Sequence, residues 1–341
     1  MFHFLSSLFS ENEKRPSGVD DELIIKATDR VIAGTDKRLQ ALASYHKQLR
    51  APVEKAVVHV INLVDALPEP VELSQNTYGS DPRLHAFFAS FKHMQEKVGA
   101  AKTVEAYLDK VAIADDPKIF GLLSIQKEEK TRLGTVMQDD HLQREVQQVV
   151  VNFINHNFLG PSVSLQEAVL NVKKRAFDFM IKIAMERIIT ERTHHAELER
   201  QQHLLKRKLK AMQAGNWGFE EMLRPEASGA KDYSSLEAEI ESVEQQLENM
   251  GASHQVLDRT LQIIKDTLGK PEELLALHNI QIELDSMNIR ADTSTAAKSQ
   301  KLELIEARSC IGATRILLPG WFPVEALPAE RESIASAMRY L

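Results

Sequence analysis

Apolar positions between residues 164 and 268 recur with a seven-residue period. In the second half of this stretch Leu236, Ile240, Val243, Leu247, Met250, His254, Leu257, Leu261, Ile264 and Leu268 follow one another in alternating steps of four and three. Such a run is a heptad seam, the stripe of one helix that packs against another. The first half repeats the step through Phe177, Ile181, Ala184, Ile188, Glu191, His195, Leu198, Gln202, Leu205, Leu209 and Met212, with three polar members. Ser164 followed by Glu167 is a capping-box pattern that opens this helix. Residues 214–231 are too few for a helix to run back and start a parallel arm. The expectation is therefore an antiparallel coiled-coil hairpin, with arms near 164–213 and 232–268.

Pairing Met212 with Leu236 brings Leu205 beside Val243, Leu198 beside Met250 and Ile188 beside Leu261. Charge supports that register. Residues 199–212 carry five basic residues against Glu199 alone, while 232–250 carry six acidic residues and no lysine or arginine. The same alignment sets His195 opposite His254. A polar layer there can hold register, because a shift would leave each imidazole against hydrocarbon. An intermolecular pairing, and with it a homo-oligomer, stays open, because heptads alone do not choose between them.

The flanking patterns differ. From residue 19 to 117 the periodicity is helical: Ile24, Ala27 and Val31 mark one helix, Pro52 suits the first turn of another, and Asp81-Pro82 opens a third. Residues 68–80 and 115–117 carry breaker chemistry. Residues 119–125, 131–138 and 145–154 are short, partly β-branched runs separated by polar turns, which predicts a three-stranded meander. Similar runs return at 278–284, 301–306 and 314–318. The economical fold is α+β and predominantly α-helical: an N-terminal helical block, a small antiparallel sheet with strands from both sides of the hairpin, and the long hairpin inserted between them. The corresponding division is a tail at 1–18, a helical block at 19–117, a β-containing body at 118–163 and 269–341, and a hairpin at 164–268 with its tip at 214–231.

Composition adjusts this picture only slightly. Aromatic residues are 6% of the 341, and the net charge is −7, which gives no overall attraction to nucleic acid. A single cysteine, Cys310, fits a reducing compartment and hence a cytoplasmic setting. No apolar run reaches the length needed to cross a bilayer. Phe2, Phe4, Leu5, Leu8 and Phe9 make residues 1–9 apolar, so weak attachment at a membrane surface is one reading of that segment.

Candidate chemistry is sparse. The tip holds Trp217, Phe219, Met222 and Leu223, which suit either a partner-binding patch or a cap folded over the hairpin's own end. Lys206, Arg207, Lys208 and Lys210 make a basic cluster, but the acidic second arm is its natural partner. His194, His195, Glu199 and His203 share one helix, and only His195 and Glu199 stand one turn apart, so no metal site is assigned. Cys310 could be a nucleophile only beside a positioned base, and its ordinary reading is a buried small hydrophobe; Trp321 and Phe322 suit packing at a sheet end, and Asp115-Asp116 and Asp139-Asp140 suit turns. Gly-rich phosphate loops, dinucleotide fingerprints, zinc helices and nucleophile elbows are missing from the sequence. No cofactor is expected. The reading that results is a non-enzymatic coiled-coil interaction or scaffold protein with protein partners. Its alternatives are an enzyme or ligand-binding protein with its site in the β-containing body, and a peripheral membrane protein anchored by residues 1–9.

Overall fold

The computed structural model describes residues 19–99, 104, 107–108, 118–138, 141–215, 229–250, 256–290 and 299–324. Its helices are α1 (Asp21–Gly34), α2 (Tyr45–Asp65), α3 (Gln75–Ser80), α4 (Pro82–Phe87), α5 (Phe91–Gly99), α6 (Leu165–Gly215), α7 (Gly229–Met250), α8 (Val256–Leu268) and α9 (Pro271–Leu274). The strands are β1 (Val71–Glu72), β2 (Lys118–Gln138), β3 (His141–Ser162), β4 (Leu275–Leu284), β5 (Gln300–Ser309) and β6 (Thr314–Pro323). The protein is thus mixed helix and sheet, an α+β fold. It divides into two compact units: residues 1–23, 55–179 and 270–341 form one, and residues 24–54 and 180–269 the other.

In the sheet unit the described strands form one sheet in the order β3-β2-β6-β5-β4, with β1 beside β6. Strands from both sides of the long helical segment therefore share a sheet, as the alternation of Ile280/Ile282/Leu284 and Leu302/Leu304 requires. All pairings are antiparallel except the short β1–β6 contact. One face carries Leu123, Ile125, Val151, Ile282, Leu304 and Leu318, and against it pack Leu84, Phe87, Phe88, Met94 and Val98. Asp81 caps α4 as its sequence predicts: its carboxylate accepts from the Arg83 amide at 2.8 Å, and Pro82 stands at the first helical position.

The meander is corrected by the structure. Residues 119–125 and 131–138 belong to one continuous strand, β2, which pairs with β3 as far as Gln138↔His141. The polar stretch Gln126 to Lys130 reads as a turn because its side chains are hydrophilic. After Ile125 β2 leaves β6 and continues in pairing with β3, whose other edge is bridged by Asn288 to Arg290. There the backbone ladder holds the strand, and its polar side chains pair on the surface: the Lys127 ammonium stands 3.2 Å from Glu129 and 3.6 Å from Glu306. Two expectations for the helical block also change. Pro52 lies inside α2, which accepts the loss of one backbone hydrogen bond, and the predicted loop at 68–80 contains β1 and α3.

The helical unit contains α1 from Ile24, a 3₁₀ turn at Lys37–Ala41, the first part of α2, α6 from Met180, and α7 and α8. Gly34 allows a close approach here, since a Cβ on it would stand 2.6 Å from Ile181 Cγ2. One arm is α6, and Ser164 caps its start by accepting from the Glu167 amide at 3.2 Å. The return arm consists of α7 and α8. Gln202 and Lys206 both reach Glu244, at 3.1 and 2.7 Å, while Glu191 reaches Arg259 at 3.8 Å. Residues later in α6 meet earlier ones in the return arm, so the arms are antiparallel. The heptad register matches the burial. Ile181, Ala184, Ile188 and Leu198 are buried, as are Leu236, Ile240, Val243, Leu261 and Ile264. Leu205, Leu209 and Met212 are half-buried.

Candidate functional site

The groups with the most unusual environment in the helical unit gather where the 3₁₀ turn, α6 and α8 meet. Asp36 opens the 3₁₀ turn. Its carboxylate accepts from the Arg38 amide at 3.0 Å, and the Arg38 guanidinium forks onto it at 2.8–3.2 Å. From α6, Arg192 Nη2 donates to the same carboxylate and also to Thr260 Oγ1 at 3.0 Å. The Thr260 hydroxyl in turn donates to the Val256 carbonyl at 2.8 Å. Asp36 is buried, and a buried carboxylate without partners would be strongly disfavoured. Here the Arg38 side chain, with Arg192 behind it, holds the carboxyl well below the usual carboxylate range despite its burial. Arg192 Nε is the one buried side-chain nitrogen or oxygen among the described residues without a hydrogen bond.

Beside this cluster a cavity of about 250 Å³ opens between the arms, lined in part by Glu191, Arg192, His195, Glu199, Arg259 and Thr260. Its polar side chains sit in loose pairs. Arg259 stands 3.8 Å from Glu191, and His195 Nδ1 stands 3.6 Å from Glu199 Oε1. Both separations are too long for hydrogen bonds. His195 is therefore a half-buried side chain on the wall of a mixed cavity, which Ile188, Val256 and Ile263 also line, with a carboxylate of its own helix one turn away. His254, the residue expected opposite it, lies outside the described residues. So do the tip residues Trp217, Phe219, Met222 and Leu223.

The remaining candidates are readily placed. Lys206 bonds to Glu244 on the second arm, as the charge pattern predicts, and holds that carboxyl below its ordinary range. Arg207, Lys208, Lys210, His194 and His203 are exposed. Among the described residues no group of three His, Cys, Asp or Glu side chains is arranged to hold a metal ion. Cys310 is exposed. Phe322 is buried against Phe158, and Trp321 lies beneath the Lys118 ammonium at 4.5 Å, both at the end of the sheet. Asp115, Asp116, Asp139 and Asp140 lie outside the described residues.

Two polar clusters escape the sequence pattern. The first is Asp36, Arg38 and Arg192, whose members lie 156 positions apart at the extremes. Only Asp36, as a capping residue after Gly34-Thr35, gives a local signal. The second is in the sheet unit. A bulge in β3 at Asn155, which adopts a φ of 52°, brings His156 to the core. His156 Nε2 donates to the Phe87 carbonyl at 2.8 Å, and its ring stacks on Phe88 and meets His93 edge-on. Burial pushes its pKa down, and the nearby His93 and Lys97 charges act in the same direction. The sheet unit also contains a cleft of about 610 Å³ lined by residues of α4, β4, β5 and β6. Among the described residues no helix is long and apolar enough to cross a membrane. The chain matches no protein family, no curated protein and no solved structure.

Proposed function

We propose that this is a non-enzymatic interaction or scaffold protein whose paired helical arms form a coiled-coil docking element. The observation that carries the reading is the division of labour on α6. Its register positions are turned inward, yet Ile189 and Leu204 on the same helix are each 50% exposed. These two side chains lie within about 60° of each other around the helix axis at 3.6 residues per turn. An arm that buries one stripe in its own partner and presents a second, sparse apolar stripe among charges is suited to a further protein surface. The tip residues Trp217, Phe219, Met222 and Leu223 extend that surface in this reading.

The test compares partner capture by the intact chain with capture by a Trp217→Ala, Phe219→Ala, Leu223→Ala variant. The expected result is an unchanged melting temperature and loss of the specific partners. A large drop in melting temperature with capture retained by the folded fraction would mean that these residues cap the hairpin's own core, and would remove the tip from the docking surface.

A further inference from the structure

The paired arms turn opposite charges outward. On α6, Arg200 and Arg207 each follow a seam leucine, Leu198 and Leu205, by two residues, which places them about 200° round the helix and so away from the return arm. His203 and Lys210 lie within about 80° of them on the same side. All four side chains are exposed, and α6 carries no acidic residue from 200 to 212. On α7, Glu241 precedes the buried Val243 by two residues, and Glu237 and Glu248 lie within about 40° of it. These three carboxylates are exposed too, and no lysine or arginine stands between Asp232 and Met250. Within the chain such charges find little. Arg200 has Glu197 of its own helix at 4.0 Å, and among the described residues Arg207, Lys210, Glu237, Glu241 and Glu248 have no ion-pair partner.

The register of the arms sets the height of each group. Glu244 is held by Gln202 and Lys206, so its level on α6 is that of Leu204, midway between them. Counted outward from there in the antiparallel pair, Arg207 stands level with Glu241 and Arg200 with Glu248. Lys210 stands level with Ala238, one residue from both Glu237 and Glu239. The two outer faces therefore carry the same ladder in opposite charge, with its arginine and glutamate rungs about 10 Å apart at 1.5 Å per residue. A second hairpin laid beside the first, without sliding along it, brings each rung of one face to the matching rung of the other. Small or polar residues flank the carboxylates, Ala238 and Gln245, and leave room for a helix to approach.

We infer that the outer faces of the arms are a self-association surface, on which the basic face of α6 in one copy takes the acidic face of α7 in a second copy. This rests on the reading of the arms as docking elements and names the occupant of their outer faces. A nucleic acid or an anionic membrane would use the basic face alone, whereas a second copy accounts for the matching acidic one. Like-with-like contacts are excluded by charge, since α6 on α6 opposes cations and α7 on α7 opposes carboxylates. The two faces point to opposite sides of the hairpin, so a contact that joins two copies leaves one face of each open. The association is heterologous and continues as a row instead of closing at two. Single exposed ion pairs are weak, so it depends on several rungs together and is strongest at low salt.

Sedimentation of the full chain over a concentration series, at low and at high salt, tests this. The weight-average mass is expected to rise past that of a dimer at low salt and to return to that of one chain at high salt. Arg200→Glu with Arg207→Glu makes one variant, and Glu241→Arg with Glu248→Arg makes another. Each alone should associate at least about tenfold more weakly than the parent, because two attractions become two repulsions. Mixed together they should regain association, since each outer face of one then complements an outer face of the other. If either reversal unfolds, the glutamine versions at the same four positions should still weaken association. A parent chain that stays monomeric at low salt, a mass that levels off at the dimer, or folded variants that do not recover on mixing would each overturn the inference. Loss of association on reversing the arginines, with the glutamate reversal harmless, would give the basic face to another anionic partner and overturn it likewise. Capture of other proteins without self-association would sink this inference and spare the docking role, and self-association without capture of any other protein would do the reverse.

Discussion

The helical unit and the sheet unit bury polar side chains by opposite means. Where the 3₁₀ turn meets α6 and α8, Asp36 is kept charged by two guanidinium groups. In the sheet unit His156 is kept neutral, donating one proton to the Phe87 carbonyl while burial and neighbouring cations oppose a second. The difference follows from what each architecture offers. The start of a short helix presents free amides and brings in long basic side chains, so a carboxylate is stabilised there. A bulged strand under a helix corner presents a carbonyl and aromatic rings, which suit a neutral donor. One centre therefore holds a charge and the other excludes it, and acid weakens both.

The largest effect expected is at Asp36. Asp36→Ala removes the cap and strands Arg192 beside the cavity. Because the Arg192 side chain is 36% exposed and regains some hydration, the expected loss is about 2–3 kcal/mol rather than the full value for a sealed pair. Urea melts at neutral pH measure it. A loss below about 0.5 kcal/mol would place the cluster among ordinary surface pairs.

Acid should act next, and in two stages. The His156 pKa is lowered in the folded state, so protons bind the unfolded chain preferentially as pH falls through the ordinary histidine value of about 6.5. Stability then declines from that point downward until the folded-state pKa is passed. Asp36 is shifted down as well, but for a carboxylate this means its contribution is complete above about pH 4 and is lost below it. His156→Phe keeps the stack on Phe88 and should flatten the profile between pH 8 and 5 while leaving the steeper loss below pH 4. An unchanged profile in that variant would show that His156 does not set the first stage.

The smallest effect belongs to the arms' own ion pair. Glu244 is tied to Lys206 and Gln202, but at the margin of the seam where water competes. Glu244→Gln should shift the midpoint slightly at low salt and not at all at high salt. A salt-independent loss would mean that this pair is more shielded than its exposure indicates.

How much of this was legible depends on the range of the interactions. The arms were legible, because a heptad seam repeats its signal ten times along α7 and α8 and their intervening residues, and the facing charges of Lys206 and Glu244 agree with it. The shared sheet was legible from the alternation in β4 and β5. The continuity of β2 was not, since the polar run from Gln126 to Lys130 is compatible with either a turn or a polar stretch of strand, and the choice lies in β3. The Asp36 cluster was illegible for a similar reason: its three side chains are ordinary until α6 delivers Arg192 to the 3₁₀ turn.

By itself the sequence determined the elements governed by local period: the paired arms, the capped start of α4 at Asp81, and the strands that share a sheet. The tertiary structure alone decided where a strand stops finding a partner and where distant charges converge. Periodicity is written in neighbouring residues, whereas strand partners and ion clusters depend on segments brought together by the burial of everything else.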